Sequence, residues 1–83
     1  MKTKIMAIAI QNKSEKVSTI QSILTEYNEN IRTRLGLSNS LDCCKDNGLI
    51  ILQLKCDEAT AQKMSDKLEE INDVYVSVMD LKV

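Results

Sequence analysis

The sequence predicts an α+β fold in which a four-stranded antiparallel sheet carries two helices on one face. Two short, nearly continuous apolar runs, residues 5–10 and 48–56, indicate strands that are buried on both faces. Such strands occupy the two central positions of one small sheet, so the rest of the chain must supply its edges and its cover. A length of 83 residues predicts a single domain over residues 1–83.

The first quarter of the chain predicts a strand followed by a helix. Both faces of the strand at residues 3–10 are apolar: one carries Met6, Ile8 and Ile10, and the other carries Ile5, Ala7 and Ala9. Asn12, followed three residues later by Glu15, resembles a capping box that begins a helix. A stripe at helical spacing then predicts the face that packs on the sheet: Val17, Ile20, Ile23, Leu24 and Tyr27.

Residues 31–35 alternate with a period of two, which is typical of an edge strand. We expect one face to carry Ile31, Thr33 and Leu35 toward the core, and the other to carry Arg32 and Arg34. Gly36 is expected to end this strand with a positive φ. A long polar connection, residues 37–47, separates it from the buried strand at residues 48–56.

The second half of the chain repeats the strand and helix pattern. The buried strand carries Ile50, Leu52, Leu54 and Cys56 on one face and Leu49 and Ile51 on the other. Asp57 is placed to cap a second helix, whose buried stripe is Ala61, Met64, Leu68 and Ile71. Residues 74–81 alternate again and predict the last strand.

The order of elements is therefore strand, helix, strand, strand, helix, strand. Right-handed crossovers place the first and third strands at the centre of the sheet and both helices on one face, which is the ferredoxin-like βαββαβ arrangement. The two doubly apolar strands predict the same central positions independently, so pattern and topology agree.

The sheet face without helices is also apolar, and this predicts an interface. It is expected to carry Ile5, Ala7, Ala9, Leu49, Ile51, Tyr75 and Met79, flanked by Arg32 and Arg34. One interpretation is packing in a homo-oligomer, a dimer or a tetramer, with the small alanines allowing close approach. The other is a groove for a ligand or partner, with the two arginines holding a carboxylate or phosphate at its rim.

Composition excludes several function classes. The net charge is −1, and Tyr27 and Tyr75 are the only aromatic residues, so we expect no direct nucleic-acid partner. No stretch approaches the roughly 20 apolar residues of a membrane span. The apolar start ends too early for an export leader, so we expect a cytoplasmic location and no membrane partner.

The three cysteines and the lack of histidine bear on chemistry. Cys43 and Cys44 are adjacent, unlike the spacing of structural zinc ligands, and Cys56 lies on the core-facing side of its strand. They leave open a soft-metal or redox sensor built on Cys43, Cys44 and Cys56. No set of general acid, base and nucleophile can be assembled, so neither an enzyme nor a cofactor is predicted.

Several segments resemble the small, stand-alone ACT-like proteins of the iron-only hydrogenase system regulator family. The resemblance lies in residues 4–10, in residues 31–37 with Arg34-Leu35-Gly36-Leu37, in residues 48–52, and in residues 67–76. It implies a non-enzymatic, oligomeric regulatory module that senses a small molecule at a subunit interface. The ligand-binding candidates are then Asn12 and Lys13, after the first strand, with Arg32 and Arg34. Amino-acid-binding ACT domains favour a glycine in that loop, so an amino-acid ligand is less expected.

Overall fold

The computed structural model describes residues 2–11, 13–38 and 47–82. In chain order, the elements are β1 (Lys2–Ile10), α1 (Lys13–Glu26), a short 3-10 helix (Asn28–Asn30), β2 (Ile31–Ser38), β3 (Gly48–Leu54), α2 (Glu58–Glu69) and β4 (Val74–Lys82). This confirms the predicted order of strands and helices.

The four strands form one antiparallel sheet in the order β2-β3-β1-β4. The doubly apolar strands β1 and β3 occupy the centre, as predicted. Pairing is regular along β1, where Met6 lies between Leu52 of β3 and Val78 of β4. Each residue of β1 therefore faces the same side of the sheet as its cross-strand partners. Alternate residues face opposite sides, so the side chains form two separate layers.

Both helices pack on one face of this sheet, and the core lies between them and the strands. Its buried residues are Met6, Ile8, Ile10, Ile20, Leu24, Leu52, Leu54, Ala61, Met64, Leu68 and Val74. Each large side chain that is fully buried contributes about 1.5–3 kcal/mol to the free energy of folding. Val17 was expected in this layer but does not belong to it, since its side chain is 40% exposed. The buried face of α1 begins one turn later, at Ile20.

Helix α2 begins where the sequence predicts it. The side chain of Asp57 accepts a hydrogen bond of 2.8 Å from the backbone N–H of Thr60. Hydrogen bonding to Thr60 also lowers the pKa of the Asp57 carboxyl group. The cap satisfies one of the backbone donors that a helix start leaves without a partner.

Edge strand β2 differs from the expected alternation, because its pairing with β3 shifts between Ile31 and Thr33. Ile31 pairs with Leu54 on the helix side, as predicted, and packs against the core. After the shift, Leu35 pairs with Ile51 and is exposed on the opposite face. A β-bulge inserts one extra residue and reverses the side on which later residues lie, so the expected orientation of Thr33, Leu35 and Arg34 is wrong.

The conformation expected for Gly36 is also wrong. It lies inside β2 and pairs with Ile50, and its φ is not positive. The left-handed conformation occurs instead at Asp73, with a φ of 62°, in the turn before β4. Aspartate tolerates this region better than most residues, and the backbone carbonyl of Asp73 accepts a hydrogen bond of 3.0 Å from the N–H of Gln11.

Candidate functional site

The sheet face opposite the helices, called the open face here, brings together the residues predicted from the alternation pattern. Ile5, Ala7, Ala9, Leu49, Ile51, Tyr75 and Met79 all lie on it by their register. Leu35 joins them because of the bulge in β2. Leu81 lies there too, opposite Thr3. The bulge thus adds a large apolar residue to a face that was already apolar.

Three cross-strand rows make up most of the open face. From the β2 side to the β4 side, they are Thr33, Gln53, Ile5 and Met79; Leu35, Ile51, Ala7 and Ser77; and Leu49, Ala9 and Tyr75. Small side chains lie side by side at Ala7, Ala9 and Ser77, with larger ones on β3 and at Tyr75. We call this patch of small side chains the alanine trough.

Within the described residues, no helix covers the open face. Leu35 is 53% exposed, Tyr75 is 56% exposed and Met79 is 53% exposed. Its polar members are neutral, and the hydroxyl of Thr33 lies 3.1 Å from the side-chain oxygen of Gln53. A contiguous apolar surface of this kind is typical of a protein–protein interface.

A second feature is a cleft between α1 and β2, on the helix side of the sheet. It has a volume of about 240 Å³ and is lined by Leu24, Thr25, Asn28, Ile31, Arg32, Thr33 and Arg34. We call it the α1–β2 cleft. Arg32 and Arg34, which the sequence analysis proposed as ligand-binding residues, both line this cleft. We expected them at the rim of the open face instead.

The bulge explains the position of Arg34. Arg34 pairs with the core residue Leu52, so it lies on the helix side. Its Nη1 donates a hydrogen bond of 2.8 Å to Oε1 of Gln21 in α1. A neutral amide thereby fixes the guanidinium group without neutralising its charge.

The structure does not bring Lys13, another ligand-binding candidate, to this cleft. Asn12 lies outside the described residues, and Lys13 begins α1, at the end opposite to the cleft residues Thr25 and Asn28. Within the described chain, Lys13, Arg32 and Arg34 therefore do not lie together in one site. Their predicted grouping assumed that the arginines faced the open side of the sheet.

One charged cluster was missed by the sequence analysis. Lys4 is only 5% exposed on the helix side of β1, and its ammonium group contacts Glu58 of α2 and lies 2.6 Å from Oδ1 of Asp80 in β4. The hydrogen bonds to Asp80 and Glu58 raise the pKa of Lys4. A cavity of about 200 Å³ lies beside the two carboxylates, which are already partners of Lys4.

The thiols do not form a site in the described chain. Cys43 and Cys44 lie outside the described residues, and Cys56 packs against the core. Burial raises the pKa of the Cys56 thiol, which disfavours the thiolate that metal binding and redox chemistry require. In the same described segments, no cluster of three histidine, cysteine or acidic side chains is arranged to bind a metal ion.

Helix length also bears on membrane association. The longer of the two described α-helices, α1, has 14 residues. None of the described helices is long and apolar enough to cross a membrane.

Comparison with solved structures shows which fold this is. The chain is 26% identical to the uncharacterized protein TM1266 from Thermotoga maritima, with a TM-score of 0.86 over 99% of this chain and 100% of that one. It is 18% identical to the ACT domain from GTP pyrophosphokinase of Chlorobium tepidum, with a TM-score of 0.68 over 98% of this chain and 86% of that one. CPII from Thiomonas intermedia K12, solved with ADP, AMP and acetate, is 16% identical, with a TM-score of 0.60 over 99% of this chain and 88% of that one.

The fold is therefore the ferredoxin-like, ACT-like arrangement that the sequence predicts. Comparison with curated proteins gives no match. Residues 2–78 match the TM1266-like family, whose description is "Iron-only hydrogenase system regulator, putative". This match spans most of the chain and agrees with the family resemblance of the strand and loop segments. The chain belongs to the TM1266-like family.

Proposed function

We propose that this chain is a non-catalytic regulatory module that works as a cytoplasmic homo-oligomer, assembled through its open face, and that responds to a small molecule. The observation that carries the proposal is the apolar open face, which no described helix covers. The match to a family described as a hydrogenase system regulator supports the regulatory role. That residues 1–83 form a single domain is part of the same proposal.

The shape of the open face supports a second copy of this chain as its partner. The alanine trough lies beside larger side chains, among them Ile51 and Tyr75. In a two-fold arrangement, the same patch faces itself, so the larger side chains of one copy can pack over the trough of the other. The three rows of this face contain no charged residue. Burying the face in a dimer would therefore leave no charge without a partner.

A non-catalytic role is supported by the chemistry of the described residues. The buried lysine is paired with two carboxylates, and the thiol of Cys56 is packed against the core. A regulatory module needs instead a ligand site and an assembly whose conformational or oligomeric equilibrium the ligand can shift. CPII shows that a protein of this fold can hold small molecules, since its structure contains ADP, AMP and acetate.

The first test replaces Ala7 by glutamate in the full chain. A carboxylate in the alanine trough would be buried without a partner, so we expect the oligomer to dissociate to monomers at micromolar concentration. Analytical ultracentrifugation or native mass spectrometry measures the change.

The matched control for this test is Ala59→Glu. It introduces the same charge at an exposed position in the first turn of α2, where the helix dipole favours an acid. The control should keep the oligomer of the wild type. A wild-type chain that is monomeric at high concentration, or an Ala7→Glu variant with an unchanged oligomer, would reject the open face as the subunit interface.

A further inference from the structure

We infer that the α1–β2 cleft binds a small molecule that carries an oxyanion group, a carboxylate or a phosphate, and that Arg32 and Arg34 hold this group. The inference rests on the proposed function, because it names the chemical class of the effector. It also separates the two surfaces: the effector occupies the helix side of β2, whereas the subunits meet on the open face.

The charge of the cleft is the first argument. None of the described residues that line it is acidic, although two of them are arginines. Three of the lysines differ from these arginines, since Lys4, Lys16 and Lys67 each lie within 4.0 Å of a carboxylate oxygen. Across the described segments, no carboxylate forms an ion pair with Arg32 or Arg34. An anionic ligand would supply the partner that the described residues do not.

The second argument is the arrangement of the arginines. The bulge between Ile31 and Thr33 turns β2 so that Arg34 lies on the helix side, in the cleft that Arg32 also lines. Bulges in edge strands often redirect a side chain toward a functional site. Gln21 holds the guanidinium group of Arg34 at 2.8 Å, which reduces the entropy that ligand binding would cost. A guanidinium group can donate two parallel hydrogen bonds to a carboxylate or a phosphate.

The size and lining of the cleft limit the ligand. Its volume of about 240 Å³ is below the range of about 300–1,000 Å³ that is typical of pockets for drug-sized ligands. Leu24 and Ile31 provide an apolar wall, and Thr25 and Asn28 provide neutral hydrogen-bonding groups. These features fit a compact anion with a short carbon skeleton.

The experiment is an NMR titration of the chain of residues 1–83 at constant ionic strength, with inorganic phosphate and succinate as separate probes. We expect saturable shifts of backbone amides in the second half of α1 and the first half of β2. Arg34→Gln and Arg32→Gln should each weaken binding by about tenfold or more, because a hydrogen bond to a charged group contributes about 1.5–3 kcal/mol. Both arginines are exposed, so both variants should fold.

The control is Lys63→Gln, which removes the same charge from an exposed position on α2. It should leave the affinity unchanged. Saturable binding of either probe supports the inference, and the tighter probe identifies the group as a phosphate or a carboxylate. Shifts that never saturate, or equal weakening by Lys63→Gln, would show nonspecific attraction and overturn it.

A repeat of the titration on Ala7→Glu separates this inference from the proposed assembly. Binding that persists in a dissociated chain supports the cleft on its own. An intact wild-type oligomer that binds neither probe overturns the inference and leaves the open face as the proposed interface.

Discussion

At the scale of single residues, Lys4 is the least expected feature of this protein. A charged lysine is rarely buried, because removing its ammonium group from water is costly unless partners replace the hydration. Here Asp80 and Glu58 provide those partners and connect β1 to β4 and α2. The ion pairs also raise the pKa of Lys4 above its ordinary value, so folding becomes linked to pH at the alkaline end.

The sign of this linkage gives a test at Lys4. In the unfolded chain, Lys4 loses its proton near its ordinary pKa of 10.5, whereas the folded protein retains the proton to higher pH. The stability contributed by the raised pKa is therefore fully present below pH 10.5 and is lost as pH rises through the folded pKa. We expect the free energy of unfolding of the wild type to fall more steeply above this pH than that of Lys4→Met. Urea denaturation at several alkaline pH values measures both slopes.

Parallel pH profiles for the two proteins would contradict this account of Lys4. The methionine variant is a suitable comparison because it keeps an unbranched apolar side chain and removes the ammonium group, with its charge and its hydrogen bonds. Its two former partners are partly exposed, so water can solvate their carboxylates in the variant.

No local pattern in the sequence indicated this cluster. Glu58 and Asp80 lie 54 and 76 positions from Lys4, and no sequence pattern connects the three. Arg32 and Arg34 were easier to find, because charged residues in an otherwise apolar alternation are visible in the sequence. Their common cleft was not predictable, since it depends on the pairing of β2 and on the position of α1.

At the scale of elements, α2 shows how far local sequence rules reach. Asp57 precedes the helical stripe, and the structure confirms it as the cap of α2. The second helix could therefore be placed from a single polar residue and a spacing pattern. The hydrogen bonds between Asp57 and Thr60 favour the ionised carboxylate and therefore lower the pKa of Asp57.

A substitution pair at Asp57 tests the cap. Asp57→Ala should lower the midpoint of thermal unfolding at neutral pH, because the N–H of Thr60 loses its acceptor. Asp57→Asn should retain most of the stability, because asparagine is also a favourable cap. Thermal unfolding followed by circular dichroism compares the variants with the wild type.

The same test predicts how the contribution of Asp57 to stability changes with pH. A lowered folded pKa contributes stability that is present above the ordinary value of 3.8 and is lost as pH falls through the folded pKa. The difference between the wild type and Asp57→Ala should therefore shrink in that acidic range. A constant difference, or an asparagine variant as unstable as the alanine variant, would mean that Asp57 acts in some other way.

Strand β2 shows where the local rules fail. Its alternation predicts Ile31, Thr33 and Leu35 on one face, but one extra residue in the ladder moves Thr33 and Leu35 to the other side. Among the described strands, β2 lies at an edge and pairs only with β3, so fewer cross-strand contacts fix its register. In contrast, β1 is paired on both sides and packed on its helix face, and its alternation was predicted correctly.

At the scale of the whole molecule, the fold follows from few features of the sequence. Two doubly apolar strands define the centre of the sheet, and the order of elements leaves one face for both helices. The opposite face must then be apolar because β1 and β3 carry apolar side chains on both sides. The same pattern that predicts the fold therefore also produces the open face, whereas the partner of that face is beyond the reach of one sequence.

The two faces of β3 allow the last prediction, because neighbouring residues serve different layers. Leu52 is 0% exposed in the core, so Leu52→Ala should cost about 2–5 kcal/mol of unfolding free energy. This loss should be the same at every protein concentration. Ile51 lies on the open face, so Ile51→Ala should chiefly weaken association, and its effect should depend on concentration.

Urea denaturation at two protein concentrations that differ about a hundredfold separates these effects. The stability of an oligomer rises with protein concentration by mass action. The wild type and Leu52→Ala should both shift to higher midpoints at the higher concentration, with a constant gap between them. Ile51→Ala should lose most of that shift. A wild-type midpoint that does not move with concentration, or an Ile51→Ala variant that moves as much as the wild type, would show that the open face buries no second subunit. The proposed module would then act as a monomer, and its open face would be left for a different protein.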